Sequence, residues 1–284
     1  MDYEALKSVY VSVKNSDLHG RYITNSHIEK SLKNIPKSQI SISGYSVENR
    51  PVYKVTFGQG ACKILLWSQM HGNESTSTKA IFDCFNFFMV NEELAKRLLR
   101  SFTLHVIPIL NPDGAERYTR LNAHAVDLNR DAKALSEPES NVLRDVFDTI
   151  QPDFCFNLHG QRTIFGAGTS RLPATLSFLS PAQDESRSLT TNRKQAMSVI
   201  HSLHRFFQTE LKNNIGRYDD TYNPNCVGDT FQSFGIPTLL YEAGHFPNDY
   251  NRESVRRFMF LAILKALDTI SKGFDTNNYL DYFS

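Results

Sequence analysis

From about residue 63 onward, short apolar runs alternate with longer stretches of helical periodicity, and this alternation narrows the possible folds to one class. Short apolar runs bounded by turn residues are typical of buried strands, whereas apolar residues at every third or fourth position are typical of helices. Together they predict a single α/β domain with a mixed, mostly parallel central sheet and helices on both faces. The predicted strands are residues 63–67, 104–110, 153–158 and 237–241, and the predicted helices are about 75–90, 143–150, 192–211 and 252–270.

The segment before residue 63 has a different character. Two β-rich stretches, residues 40–43 and 52–57, flank a polar stretch and predict a hairpin. Residues 26–30 carry helix-start signals, with Ser26 as the expected cap, and residues 1–39 are predicted to form a helical extension packed on the domain. We therefore expect one catalytic domain over residues 1–284, a length that suits a single core.

Charge and cysteine content narrow the class of partner. The chain has 31 Lys and Arg against 30 Asp and Glu, so nothing calls for nucleic acid or an anionic membrane surface, and a peptide or small molecule is expected instead. No apolar run reaches the length of about 18 residues that a transmembrane helix needs, and the first residues do not resemble a secretory signal. The four cysteines form no CxxC pair, which favours reduced thiols and a cytoplasmic location.

Ionisable side chains follow the predicted strands, where an α/β sheet places its ligand site. His71 and Glu74 follow residues 63–67, and Gly72 between them permits a tight turn. A lone HxxE also occurs on solvated helix faces, but His159 follows another predicted strand, residues 153–158. Two histidines and a glutamate are an accepted ligand set for catalytic zinc, and the fourth position is left for water. The shared placement therefore predicts a metal site.

Further polar groups follow at the same edge of the predicted sheet. Glu242 comes after residues 237–241, where a carboxylate is placed to take a proton from an activated water or is simply solvated on a loop. Beyond the turn residues 111–114, Arg120 and the pair Asn129–Arg130 lie in one loop. Because guanidinium presents a planar fork that matches a carboxylate, this loop is a plausible anion-binding set.

The order of these motifs resembles that of the zinc metallocarboxypeptidase family, in a compact, bacterial-type form. The resemblance spans about residues 40–260 and includes Arg120 nine residues before Asn129-Arg130. Its other parts are His71-Gly72-Asn73-Glu74, Asn111-Pro112-Asp113-Gly114, His159 and Glu242. The resemblance implies one zinc ion per chain and a sheet of about eight strands.

The resemblance also implies a role for each matching residue. The zinc ligands correspond to His71, Glu74 and His159. Glu242 corresponds to the general base, and Arg120 to the arginine that polarises the scissile carbonyl and stabilises the oxyanion.

Substrate binding and ligand orientation are implied in the same way. Asn129 and Arg130 correspond to the pair that grips the terminal carboxylate of the substrate. Asp127 corresponds to the carboxylate that orients the first zinc histidine. The family's mobile tyrosine has Tyr222 as its nearest candidate and Tyr218 as the second.

The implied activity is hydrolysis of the C-terminal amide bond of a short peptide by a zinc-activated water, with Glu242 as general base. The compact chain keeps an alternative open, a zinc deacylase or amidase of N-acyl amino acids or cell-wall peptides, similar to aspartoacylase or succinylglutamate desuccinylase. Both imply a substrate with a free carboxylate. Asp229, upstream of the base, either attracts a basic side chain or caps a helix. The oligomeric state stays open, as does the native metal if another divalent ion competes.

Overall fold

A computed structural model describes residues 2–90 and 92–283. Within them, eight strands form one mixed sheet in the order β1-β2-β4-β3-β5-β8-β6-β7. The central neighbours β4, β3, β5 and β8 run parallel. The pairs β1–β2, β2–β4 and β6–β8 are antiparallel, and the edge pair β6–β7 is parallel. The strands are β1 (Ile40–Tyr45), β2 (Pro51–Phe57), β3 (Cys62–Ser68), β4 (Phe102–Ile107), β5 (Phe154–Gly160), β6 (Leu176–Leu179), β7 (Ile215–Arg217) and β8 (Thr238–Ala243).

Helices cover both faces of this sheet, as the sequence predicts. They are α1 (Tyr3–Val13), α2 (Asn25–Leu32), α3 (Thr76–Met89), α4 (Glu93–Ser101), α5 (Pro112–Arg117), α6 (Pro138–Ile150), α7 (Thr191–Phe206), α8 (Val227–Ser233) and α9 (Glu253–Lys272). Short 3-10 turns lie at Lys37–Gln39, Leu128–Arg130 and Thr276–Phe283. No helix in the described part of the chain has both the length and the apolar character needed to cross a bilayer.

The two faces of β3 show how the sheet separates two cores. Successive side chains of a strand point to opposite faces. Ile64 and Leu66 pack in the larger core with residues of α1, α3, α7 and α9, which we call the α9 face. Leu65 and Trp67 pack in the smaller core with residues of α6 and α8, which we call the α8 face. Because both faces are covered, the central strands are almost entirely apolar, and this explains their short unbroken hydrophobic runs.

The N-terminal residues pack on the α9 face. Tyr3, Leu6 and Tyr10 of α1 are buried in that core. The buried Arg256 of α9 pairs with Asp83 of α3 at 2.6 Å and donates to the carbonyl of Leu18, so the segment after α1 is fixed to the domain by hydrogen bonds. Residues 1, 91 and 284 of the predicted domain lie outside the described residues.

Several predicted boundaries differ from the structure. The hairpin is present as β1 and β2, but β6, β7 and α4 were not predicted. The predicted cap at Ser26 is wrong: α2 begins at Asn25 and its cap is Thr24, whose backbone N–H donates to His27 Nδ1. His159 and Glu242 are the next-to-last residues of β5 and β8, rather than residues beyond the strand ends. These two side chains are therefore held by the sheet itself.

Candidate metal centre and active site

The turn that carries the first two ligand candidates packs directly on a second turn. After β3, the Gln69 side chain donates to the carbonyl oxygens of Ile23 and Gly72, both at 2.7 Å. Gly72 lies against Gly114, and a Cβ at Gly72 would lie 1.9 Å from the Gly114 carbonyl carbon. Any side chain at Gly72 would push the two turns apart, so glycine is required here by close packing of backbone on backbone.

His71, Glu74 and His159 converge, and each is at most 6% exposed. His71 Nδ1 lies 2.9 Å from Glu74 Oε1, and His159 Nδ1 lies 3.2 Å from both His71 Nδ1 and Glu74 Oε2. Two ligands of a tetrahedral zinc ion, each about 2.0–2.1 Å from the metal, lie about 3.3 Å from one another. The spacing and the donor types therefore fit zinc, and the residues present would hold it.

The ionisation state of Glu74 suits this task. Burial alone would raise the pKa of Glu74, but His71 and His159 hold it at about 2, so the carboxylate is ionised. The Gly160 N–H also donates to Glu74 Oε2 at 3.0 Å. Burial lowers the pKa of His159, which favours the neutral imidazole that a metal ion requires.

Asp127 contacts the His71 ring nitrogen that faces away from Glu74 and His159, and Arg120 in turn contacts Asp127. His71 Nε2 donates to Asp127 Oδ1 at 3.2 Å, which leaves Nδ1 as the metal-facing nitrogen. Arg120 donates from Nε and Nη2 to Asp127 Oδ2, at 3.1 and 3.0 Å. Its Nη1 lies 3.4 Å from Glu74 Oε1. One guanidinium therefore reaches the edge of the ligand set, where a substrate carbonyl would approach.

Glu242 lies beside the ligand set by strand register. In the parallel pairing of β5 with β8, Glu242 lies directly opposite His159, so both side chains leave the sheet on the same face. Burial and then the neighbouring Glu74 carboxylate raise the pKa of Glu242 well above its usual value, whereas Arg120 lowers it. A carboxyl group with a raised pKa takes up a proton more readily than an ordinary glutamate, which suits a general base that must also return the proton.

The predicted carboxylate clamp forms a short turn beside Asp127. The Asn129 N–H donates to Asp127 Oδ1 at 2.9 Å, and Asn129 Oδ1 accepts from the Val227 N–H at 3.1 Å. Arg130 is exposed, and its Nη1 donates to the Asn129 carbonyl at 2.8 Å and lies 3.1 Å from Cys226 Sγ. Arg130 is therefore accessible to a ligand, and its guanidinium contacts only the Asn129 carbonyl and Cys226 among the described residues.

The two tyrosine candidates differ in surroundings. Burial and then the Glu242 charge raise the pKa of Tyr218, and Glu74 adds to this effect. The pKa of Tyr222 is raised by burial and then by Asp229, and no metal ligand acts on it. The charges of Glu242 and Glu74 thus act on Tyr218, the second choice from the sequence, whereas those that act on Tyr222 come from other residues. Nothing in the local sequence separated the two, because their order along the loop does not say which ring turns inward.

Comparison with known proteins agrees with this geometry. A family model described as zinc carboxypeptidase matches residues 25–260. Carboxypeptidase SOL1 of Arabidopsis thaliana is 31% identical over 126 residues, which cover 39% of this chain and 25% of that protein. The chain spans about a quarter of the length of the curated carboxypeptidases that it matches first.

Solved structures share the fold. A metallo-carboxypeptidase from Burkholderia cenocepacia superposes with a TM-score of 0.67 at 19% identity, covering 87% of this chain and 70% of that one. A metallo-carboxypeptidase from Pseudomonas aeruginosa, solved in complex with (2-guanidinoethylmercapto)succinic acid, gives 0.66 at 14% identity and covers 86% and 68%. With the family model matching most of its length, the chain belongs to the zinc carboxypeptidase family.

Proposed function

We propose that this enzyme removes the C-terminal residue from short peptides that end in a free carboxylate. The observation that carries the proposal is the convergence of His71, Glu74 and His159 next to Glu242, with Arg120 at the edge of the ligand set. A ligand set, a buried carboxylate and a cation within reach of one point are the groups that amide hydrolysis requires.

His71, Glu74 and His159 would hold a zinc ion, which would supply the Lewis acidity to polarise a carbonyl and to make water a nucleophile near neutral pH. Glu242 takes the proton from the attacking water and delivers it to the leaving nitrogen, so the amine departs neutral. Arg120 donates to the carbonyl oxygen as negative charge develops on it, and Asp127 holds the guanidinium in place at 3.0 Å.

On the leaving-group side, the substrate is positioned by its terminal carboxylate. Arg130 and the Asn129 amide bind it, since guanidinium forms bidentate pairs with carboxylates. The Pseudomonas aeruginosa relative was solved in complex with a succinic acid derivative, a ligand that itself carries carboxylates, which is in keeping with a substrate that carries a free carboxylate. Tyr218 covers the bound residue, and Tyr222 is its alternative.

A substrate panel tests the proposal against the amidase alternative. The zinc-loaded chain is incubated with short peptides, their C-terminally amidated forms, N-acyl amino acids and cell-wall peptides. Release of one C-terminal residue from the free peptides, and none from the amidated forms, is expected. Cleavage confined to N-acyl amino acids or cell-wall peptides would favour the deacylase or amidase. Equal rates on free and amidated peptides would contradict both, because neither would then need a clamp.

Removing the exposed cation of the clamp should weaken substrate binding. We expect Arg130→Ala to raise KM for free peptides by about ten- to a hundredfold, the range that one charge-assisted hydrogen-bonded pair supports. Steady-state kinetics on free and amidated peptides measures this, and the exposed Arg205 of α7 provides the matched Arg205→Ala control. A KM that does not change in Arg130→Ala would place the carboxylate elsewhere.

Asp229 carries a charge that the fold disfavours. It is 8% exposed in the first turn of α8, and burial raises its pKa to about 6, although the Asn223 N–H donates to it at 3.2 Å. Because the folded-state pKa is above the unfolded one, this group stabilises the fold less as pH rises from about 4 through 6. Such a cost is expected where a carboxylate serves substrate selection, here of a basic leaving residue.

Asp229→Asn should therefore stabilise the protein above pH 6, by up to about 2 kcal/mol at pH 8, and give no gain below pH 4. Denaturant unfolding of both proteins at each pH measures the difference. The same substitution should lower the preference for Lys or Arg over neutral leaving residues. A loss of stability at pH 8 would show instead that the carboxylate serves as a helix cap.

A further inference from the structure

Three arginines line a narrow cleft beside the metal ligands. Arg21, Arg162 and Arg252 form it together with Gln161 and the backbone at Glu74 and Gly160, and we call it the arginine cleft. Among its described lining residues Glu74 is the one acidic group, and its carboxylate is turned toward His71 and His159. The cleft therefore concentrates positive charge that the protein does not neutralise within it.

Arg252 is the most deeply buried of the three. It is 6% exposed and precedes α9 in a left-handed backbone conformation, with φ at 60°. Its Nη2 donates to the Gln161 carbonyl at 3.2 Å and to His245 Nε2 at 2.8 Å. Its Nη1 is buried and has no hydrogen-bond partner among the described residues. Buried guanidinium nitrogens are normally paired, so a free one at a cleft indicates a missing ligand.

The groups around Arg252 do not supply the missing negative charge. Burial and then Arg21 lower the pKa of Arg252 to about 10, so it remains protonated at neutral pH. Burial, with Arg252 and Arg21, lowers the pKa of His245 to about 4 and keeps that ring neutral. Asp249 is the nearby anion, but its two oxygens cap α9 by accepting from the Glu253 and Val255 N–H groups at 2.8 and 3.0 Å.

The arginine cleft and the carboxylate clamp belong to elements that pack on opposite faces of the sheet. Arg252 leads into α9, which packs on the α9 face of the sheet. Leu128, next to Asn129, packs on the α8 face together with Val227. A substrate that places its terminal carboxylate at Arg130 and its scissile carbonyl at the metal ligands therefore directs its acyl portion toward the arginine cleft.

We propose that the arginine cleft binds a carboxylate on the acyl side of the scissile bond, so that the preferred substrates carry an acidic residue there in addition to the terminal carboxylate. The inference rests on the proposed function, which defines the acyl side. It specifies a substrate class, acidic peptides, that the proposed carboxypeptidase activity does not by itself define.

Matched peptides test this preference. Pairs of free tripeptides differ only in Glu or Gln at the residue that supplies the scissile carbonyl or at the one before it. The wild-type enzyme should give a kcat/KM at least about tenfold higher for one Glu peptide than for its Gln partner, as expected for a carboxylate paired with buried guanidinium. In Arg21→Gln and Arg252→Gln the ratio should fall toward one. The Arg205→Gln variant is the control.

A binding experiment separates this inference from the proposed function. N-acetylglutamate and N-acetylglutamine, which mimic the two acyl products, are titrated into the zinc-loaded protein by calorimetry, and the result does not depend on turnover. Tighter binding of the glutamate ligand by wild type, lost in Arg21→Gln, supports the cleft even if no peptide in the panel is cleaved. Equal affinity for the pair, or a preference that persists in both arginine variants with unchanged melting temperatures, overturns the inference and leaves the proposed function standing.

Discussion

Replacing Glu242 with glutamine is expected to reduce turnover by about a thousandfold or more while one zinc ion stays bound. Glutamine keeps the size and the hydrogen-bonding shape of the side chain but cannot take up a proton. Since Glu242 lies one strand away from His159, in register with it, and is not among the three converging ligand groups, the metal should be unaffected. The loss should fall on kcat, because the proton is transferred only in the chemical step.

Turnover and zinc content measured on the same sample give the answer. Glu92→Gln, at an exposed position that is not part of the ligand set, serves as the matched control and should retain full activity. Wild-type turnover in Glu242→Gln would exclude this residue as the base. Loss of zinc from the variant would instead mean that Glu242 takes part in holding the metal.

His159→Ala should lower zinc affinity by more than about a hundredfold and abolish activity with it. Substitution of residues that merely orient a ligand already costs about ten- to a hundredfold, and His159 supplies a donor atom directly. The variant also leaves Glu74 with one imidazole partner instead of two, so its buried carboxylate loses compensating hydrogen bonds. We therefore expect lower thermal stability of the metal-free protein as well.

Competition with a chromophoric chelator measures this affinity. His204→Ala is the matched control, because His204 lies part-way to the surface on α7 and contacts Gln208 rather than any ligand candidate. Zinc affinity should be unchanged there. Wild-type affinity in His159→Ala would remove His159 from the ligand set, and with it the proposed centre.

Sequence patterns predicted the part of the fold that alternating periodicity encodes. The strands β3, β5 and β8 were found because both of their faces are covered, which makes them short unbroken apolar runs. Their carboxyl ends then predicted where His71, His159 and Glu242 would meet. In contrast, β7 has only three residues, Ile215–Arg217, and pairs along one edge, so it has no pattern long enough to detect.

The parts of the site that the sequence did not predict depend on contacts between distant residues. In the sequence, Arg252 is simply a charged residue that precedes a helix. Only the folded chain shows that it shares a cleft with Gln161 and with Arg21, some 230 positions away. The choice between Tyr218 and Tyr222 likewise depends on tertiary packing, since, in addition to burial, the Glu242 charge raises the pKa of Tyr218 and Asp229 raises that of Tyr222. Local signals fix which elements form, whereas the electrostatic surroundings of a side chain depend on tertiary packing.

We predict that His71, Glu74 and His159 together hold one zinc ion. X-ray absorption at the zinc edge of the loaded protein tests it most directly, since it reports the type and distance of the ligand atoms. We predict two imidazole nitrogens at about 2.0–2.1 Å and carboxylate oxygen at about 2.0–2.2 Å, with one imidazole lost in His159→Ala. Sulfur at about 2.3 Å, or a spectrum that is identical in wild type and His159→Ala, would contradict the claim.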